Sequence, residues 1–280
     1  MEKEEERGRK VKKSPKASRR AWTALSAVLI LAGAATAACP ILFNFLSRNG
    51  TGLAEKSFEK TVRAMQAGES SPKAESPLEK LLKKVEAYNK KLYDDGQKDL
   101  ADPFSYEASS FDLSEYGIED NLFGFIEIPK LNVKLGIYLG ATSSNMAKGA
   151  VHLTQTSLPV GGTNTNAVIA AHRGTRHQDM FLHIDRLKAG DGVTITNAWK
   201  TLSYRVTSTA VIAPDAVEKV LIRPGRDMVT LISCNPYGKS TQRYVVYCDR
   251  APDGAVSAKA GKFPLIFGTR PEGKERAAKQ

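Results

Sequence analysis

Between Arg20 and Arg48 the chain runs for 27 residues without a charged side chain, AWTALSAVLILAGAATAACPILFNFLS. A helix rises about 1.5 Å per residue, so roughly 20 such residues cross the hydrocarbon core of a bilayer. This stretch is read as a transmembrane helix over 21–46, and it forces the rest of the chain to fold on one side of a membrane. The 20 residues before it hold nine Lys/Arg and four Glu, a net +5 of the chain's total of +11. Positive charge flanking a span favours the cytoplasmic side, which leaves everything after the span outside. Because the excess charge sits beside the membrane, it gives no reason to expect a nucleic-acid partner. The small residues of AATAAC are of the kind found at leader cleavage sites, and Cys39 raises a lipidation site. Thr36, however, stands where such a site carries an aliphatic residue, and Ile41, Leu42, Phe43, Phe45 and Leu46 carry the apolar run past any cut. The span is therefore expected to be retained, with Cys39 a small apolar membrane residue.

Beyond the span, 41% hydrophobic content across 280 residues supports a packed core and argues against global disorder. Residues 47–77 are polar and broken by Ser71-Pro72 and Ser76-Pro77, a spacer. The following SPLEKLLKKVEAYNKKLYD obeys helix rules: Ser76 as cap, Pro77 in the first turn, and Glu79 three residues after the cap. Leu78, Leu81, Leu82, Val85, Tyr88 and Leu92 form a stripe at helical spacing, expected to pack on the domain. From Leu122 the texture changes to short runs rich in Val, Ile, Thr and Tyr: LFGFIEI, VKLGIYLG, AVIAAH, GVTITN, SYRVTSTAVI, MVTLISC and RYVVYC. Many short strands with few helical patterns predict a mainly β domain, an antiparallel sheet closed into a barrel or sandwich. HQDMFLHIDRL is the clearest helical insert, and the chain ends in a polar tail, GTRPEGKERAAKQ.

Three cysteines, Cys39, Cys234 and Cys248, make no disulfide framework and no C-x-x-C pair. No metal site is discernible, and no cofactor is expected. Cys234 ends the apolar run MVTLIS just before the turn NPYG, at the rim of a sheet, whereas Cys248 lies inside RYVVYCDR. Taken alone, either thiol fits a small buried hydrophobe as well as a nucleophile. A catalytic thiol needs a partner that moves its proton. Of the four histidines, His172 ends a strand as Cys234 does, followed by Arg173-Gly174. His177 and His183 fall in or near the helical insert, and His152 follows Gly149-Ala150-Val151. Arg243 opens the strand after the cysteine turn, so a hairpin would bring it to Cys234 with a permanently charged fork of donors. A surface ion pair would account for it equally well.

Three segments in this order carry a family resemblance: FGFIEIPKLNVKLGIYLG, LPVGGTNTNAVIAAHRG and TLISCNPYGKSTQRYVV. Together they resemble the sortases over roughly residues 102–250. The resemblance implies a closed eight-stranded β-barrel with short helices. By motif match it implies Cys234 as nucleophile, His172 as acid/base, and Arg243 as the oxyanion or substrate-positioning residue. Ser233 departs from the pattern, which often has Thr there, but keeps a hydroxyl. ADPFSYE is similar to the lid of class C, pilus-assembling sortases. By that likeness Asp102 would pair with Arg243, Phe104 would cover Cys234, and Pro103 would stiffen the loop. A second C-terminal membrane helix, present in many class C members, has no counterpart in GKFPLIFGTRPEGKERAAKQ, which is too short and too charged.

The expected organisation is a basic cytoplasmic tail (1–20), a transmembrane helix (21–46), a spacer and helical stem (47–101), a lid (102–107), a sortase barrel (108–268) and a polar tail (269–280). The resemblance implies a single-pass enzyme outside the cell membrane of a Gram-positive type envelope. It would cleave an LPXTG-like sorting signal on pilin or surface-protein precursors through a Cys thioacyl intermediate and transfer the acyl group to a lysine amine of a pilin. Two other readings remain: a housekeeping sortase that loads peptidoglycan, and, more distantly, a non-catalytic membrane-anchored binding domain.

Overall fold

A computed structural model describes residues 16–67, 76–98, 100, 109, 111–175 and 178–256. Asp102, Pro103, Phe104, His177 and the expected polar tail lie outside the described residues. In chain order the elements are α1 (Lys16–Ala67), α2 (Pro77–Asp94), β1 (Leu122–Ile128), β2 (Val133–Leu139), α3 (Ser143–Lys148), β3 (Ala150–His152), β4 (Thr165–Ala170), β5 (Gly192–Asn197), β6 (Thr201–Ile212), β7 (Asp227–Asn235) and β8 (Gln242–Arg250).

The strands close into an eight-stranded barrel in the order β1-β2-β3-β4-β7-β8-β6-β5. The expectation of an antiparallel sheet needs one correction: β2 pairs with β3, and β4 with β7, in parallel. Both parallel pairs are joined by excursions, α3 between β2 and β3, and two whole strands between β4 and β7. Parallel neighbours cannot be joined by a tight turn. Between β1 and β5 the backbones come close at Gly124, where a Cβ would stand 2.2 Å from the Thr196 carbonyl oxygen.

Alternation along the strands sorts side chains into two apolar layers. One layer draws on all eight strands, including Ile126, Ile137, Ala150, Ile169, Ile195, Leu202, Leu231 and Val246, and fills the barrel. The other lies on the outer wall, where Phe125, Val168, Ala170, Ile232 and Val245 belong to one cluster with Phe58 and Val62 of α1 and Leu78, Leu81 and Val85 of α2.

The stem helix forms as its sequence dictates. Ser76 Oγ accepts from the Glu79 amide at 3.1 Å and the Glu79 carboxylate accepts from the Ser76 amide at 3.2 Å, a reciprocal cap with Pro77 in the first turn. Polar groups then fix the docking of α2: Asn89 exchanges two hydrogen bonds with the Leu158 backbone, at 3.0 and 2.7 Å, and the Trp199 indole donates to the Leu78 carbonyl at 3.1 Å.

Two elements differ from the sequence reading. The residues read as a spacer are helical as far as Ala67, continuous with the apolar run. The cause is tertiary: Phe58, Val62 and Met65 are buried, the Phe58 ring meets Phe125 edge-on at 5.8 Å, and Lys134 bridges Glu55 at 2.6 Å and Glu127 at 3.0 Å. HQDMFLHIDRL is not an α-helix where described: residues 180–183 are turns, Met180 sits at φ 41°, and only Ile184–Arg186 forms a single 3₁₀ turn. Met180, Phe181, Ile184 and Leu187 join the barrel's interior layer, so burial of these four outweighs helical propensity. Within α1, Trp22–Cys39 has a mean hydropathy of 1.8 and is long and apolar enough to cross a membrane.

Candidate active site

Two of the three residues singled out from the sequence lie on neighbouring strands, and the third just past the end of the next. Cys234, next to last in β7, is the direct cross-strand partner of Arg243, the second residue of β8. Opposed residues of antiparallel strands hold their Cβ atoms about 5 Å apart on the same face. On the other flank, parallel β4 and β7 pair as far as Ala170 with Ile232, and the Ala171 amide donates to the Ile232 carbonyl at 3.2 Å. His172 is the next residue after Ala171, just past the last pairing of β4 with β7, as Cys234 is two residues after Ile232. Cys234 and Arg243 thus face each other across β7 and β8, with His172 just past the end of the neighbouring β4, and the three follow the outer-wall parity of Ile232, Val245 and Ala170.

Several local bonds hold these segments. Buried Ser233, facing the other way, donates its hydroxyl to the Ala171 carbonyl at 2.9 Å, tying β7 to the residue before His172. Arg243 is 6% exposed, and its Nη1 donates to the carbonyls of Ser240 at 2.9 Å and Gln242 at 3.2 Å, fixing the turn after the cysteine. His172 is half-buried, and desolvation draws its imidazole pKa below the ordinary value, favouring the neutral ring.

Arg173 was not singled out from the sequence, yet it braces this rim. Its Nη1 donates to Asn235 Oδ1 at 2.9 Å and to the Cys234 carbonyl at 3.4 Å, Nε donates to the Leu182 carbonyl at 3.3 Å, and Nη2 pairs with Asp185 at 2.8 Å. The guanidinium also lies over the Tyr244 ring, 5.4 Å from its centroid. The only sequence signal was its place directly after His172.

The other candidates are placed elsewhere. Cys248 is fully buried in the barrel interior, and burial pushes its thiol pKa far up. His152 is buried as well; its Nε2 lies 2.9 Å from the Ser157 carbonyl oxygen, so that nitrogen carries the proton. His183 lines a separate cleft with Thr51, Leu131 and Asp179. Among the described residues, no group of three or more His, Cys, Asp or Glu could hold a metal ion.

Residues 126–251 match the family of the Sortase domain. Sortase D of Bacillus subtilis is 25% identical over 130 residues, which span 45% of this chain and 63% of that relative's length. Among solved structures, the pilus-related sortase C of Group B Streptococcus is 30% identical, covering 71% of this chain and 97% of that one, with a TM-score of 0.58. The lid mutant of Streptococcus agalactiae Sortase C1 is 29% identical, covering 70% of this chain and 96% of that one, with a TM-score of 0.60.

Proposed function

The chain belongs to the sortase family, and from that premise we propose that it is a membrane-tethered cysteine transpeptidase of the pilus-assembling class. The observation that supports the reading is the cross-strand pairing of Cys234 with Arg243, with His172 just past the end of β4, the strand beside β7. Cys234 is the nucleophile. Its Sγ bonds to the threonine carbonyl carbon of an LPXTG-like signal while neutral His172 takes the thiol proton. Arg243 steadies the developing oxyanion or the bound signal, a role in which a lost donor costs about 2.7–4 kcal/mol of transition-state stabilisation. The carbon–nitrogen bond then breaks, and the imidazolium returns its proton to the leaving glycine amine. The thioacyl enzyme that remains is attacked by a pilin lysine amine: a new amide forms, the carbon–sulfur bond breaks, and the thiol is restored.

The acceptor and the lid rest on two supports: the likeness to a pilus-related sortase C, and ADPFSYE placed just ahead of the barrel. In this reading Asp102 pairs with Arg243, Phe104 shields Cys234, and Pro103 stiffens the loop. The apolar part of α1 supplies the anchor. Precursors held in the same membrane meet the enzyme at raised effective concentration without any new contact.

The test mixes the full chain in detergent with a pilin that bears a sorting signal. A covalent ladder on a denaturing gel, with the acyl fragment trapped on the Cys234 peptide, is expected, and Cys234→Ala abolishes both. Trapping on Cys248 overturns the assignment. Transfer only to an amine of a peptidoglycan stem reassigns the enzyme to cell-wall loading, and absence of any acyl transfer leaves a binding domain.

A further inference from the structure

We propose that the barrel rim carrying His172, Cys234 and Arg243 faces the membrane from which α1 emerges, with Tyr237 and Lys239 of the β7–β8 turn at the lipid headgroup layer. The inference rests on reading the uncharged run of 21–46, which contains Trp22–Cys39, as a membrane span.

Strand directions place the rim. The pairings make β1, β4, β6 and β7 run one way and β2, β3, β5 and β8 the other. The far end of β1 with its turn into β2, the segment after β4 that holds His172, the end of β7 that holds Cys234, and the start of β8 that holds Arg243 therefore share one end of the barrel. The first contacts of α1 lie at that same end. Thr51 lines a cleft with Leu131 and Asn132 of the β1–β2 turn, and Glu55 pairs with Lys134, the residue opposite Glu127. Farther along, Phe58 meets Phe125, and Thr61 lines a pocket with Gly117 and Ile118 ahead of β1. The helix thus travels from the candidate-site end toward the opposite end, and the membrane lies behind its starting point.

The spacing is short. From Arg48, the first charge after the apolar run, seven residues of continuous helix reach Glu55, about 10 Å along the axis. A site-bearing rim this close to the headgroup layer is within reach of its polar and apolar atoms.

Exposed side chains agree independently. Outside the apolar run, the exposed large hydrophobics among the described residues are Leu53 at 69%, Val211 at 48% and Tyr237 at 67%. All three lie at this end: Leu53 between Thr51 and Glu55, Val211 opposite Tyr244 at the end of β6, and Tyr237 on the turn after Cys234. Lys239, exposed on the same turn, adds a cation suited to an anionic lipid phosphate. A tyrosine with an apolar body and a wet tip is at home in that layer. The geometry lets a signal still attached to its own membrane segment reach Cys234 without crossing the height of the barrel.

The test uses the full chain with Cys39→Ala and Cys234→Ala, leaving buried Cys248, reconstituted in phosphatidylcholine/phosphatidylglycerol vesicles. A single environment-sensitive fluorophore is placed through Tyr237→Cys or, at the opposite end before β4, through Thr163→Cys. Flotation of the vesicles reports anchoring, and quenching by a headgroup spin-labelled lipid reports height. The label at position 237 is expected to lose most of its emission while the label at 163 keeps it, with both proteins floating. Failure to float removes the span and the proposal with it. Flotation with equal quenching at the two sites, or stronger quenching at 163, overturns the orientation and leaves the anchor standing.

Discussion

Two histidines show how environment separates residues of one type. His172 sits half-buried just past the end of β4, whereas His152 is enclosed, and burial lowers its pKa from 6.5 to about 4. Between those two values the unfolded chain binds a proton that the folded chain refuses. Stability from this residue is therefore fully present above about pH 6.5 and is lost as pH falls toward 4, on the order of 3 kcal/mol in all. Denaturant unfolding of the detergent-solubilised chain at pH 7, 5.5 and 4.5 should show this slope, and His152→Gln should flatten it; the same slope in both proteins would contradict the assignment. At this scale the sequence marked Cys234 and His172 because each ends an apolar run beside a chain-breaking stretch, NPYG and RG. Arg173 escaped notice because its partners, Leu182, Asp185, Cys234 and Asn235, are remote from it along the chain.

The stem helix is the element whose sequence and structure agree most closely. Its cap, its first-turn proline and its stripe are all local, and the stripe lands on the barrel's outer wall. Leu81 is 1% exposed there, so Leu81→Ala should cost about 2–5 kcal/mol, read as a lowered denaturant midpoint. A loss under 1 kcal/mol would mean that α2 is only loosely docked. The proposed lid, residues 102–107, comes next along the sequence, and its prediction concerns access. If the cleft is open about 1% of the time, Phe104→Ala or Asp102→Ala should speed thiol modification of Cys234 by up to about 100-fold. Equal labelling in parent and variants would dismiss a closed lid. Elements were misread where a long-range contact overrode the local pattern: the polar stretch after Arg48 is helical because Phe58, Val62 and Met65 find the barrel, and HQDMFLHIDRL unwinds because its apolar residues enter the barrel's interior.

For the whole molecule, one helix serves both as the candidate span and as part of the outer-wall packing. Deleting residues 1–47 should leave a soluble barrel that melts with the parent. Deleting 1–75 also removes Phe58, Val62 and Met65, each worth about 1.5–3 kcal/mol of burial, and should lower the melting temperature clearly in calorimetry. Identical melting of the two truncations would show that α1 does not stabilise the barrel. The linear order of residues was enough to separate an apolar span from a mainly β region, to delimit the capped stem, and to mark a cysteine and a histidine at strand ends, because hydropathy period, caps and turn residues are encoded within a few positions. Barrel closure, the two parallel pairings, the brace at Arg173 and the rim shared with the start of α1 emerge only on folding. Each depends on which strands become neighbours, and that is settled by burial and hydrogen bonding between segments as much as 60 or more residues apart.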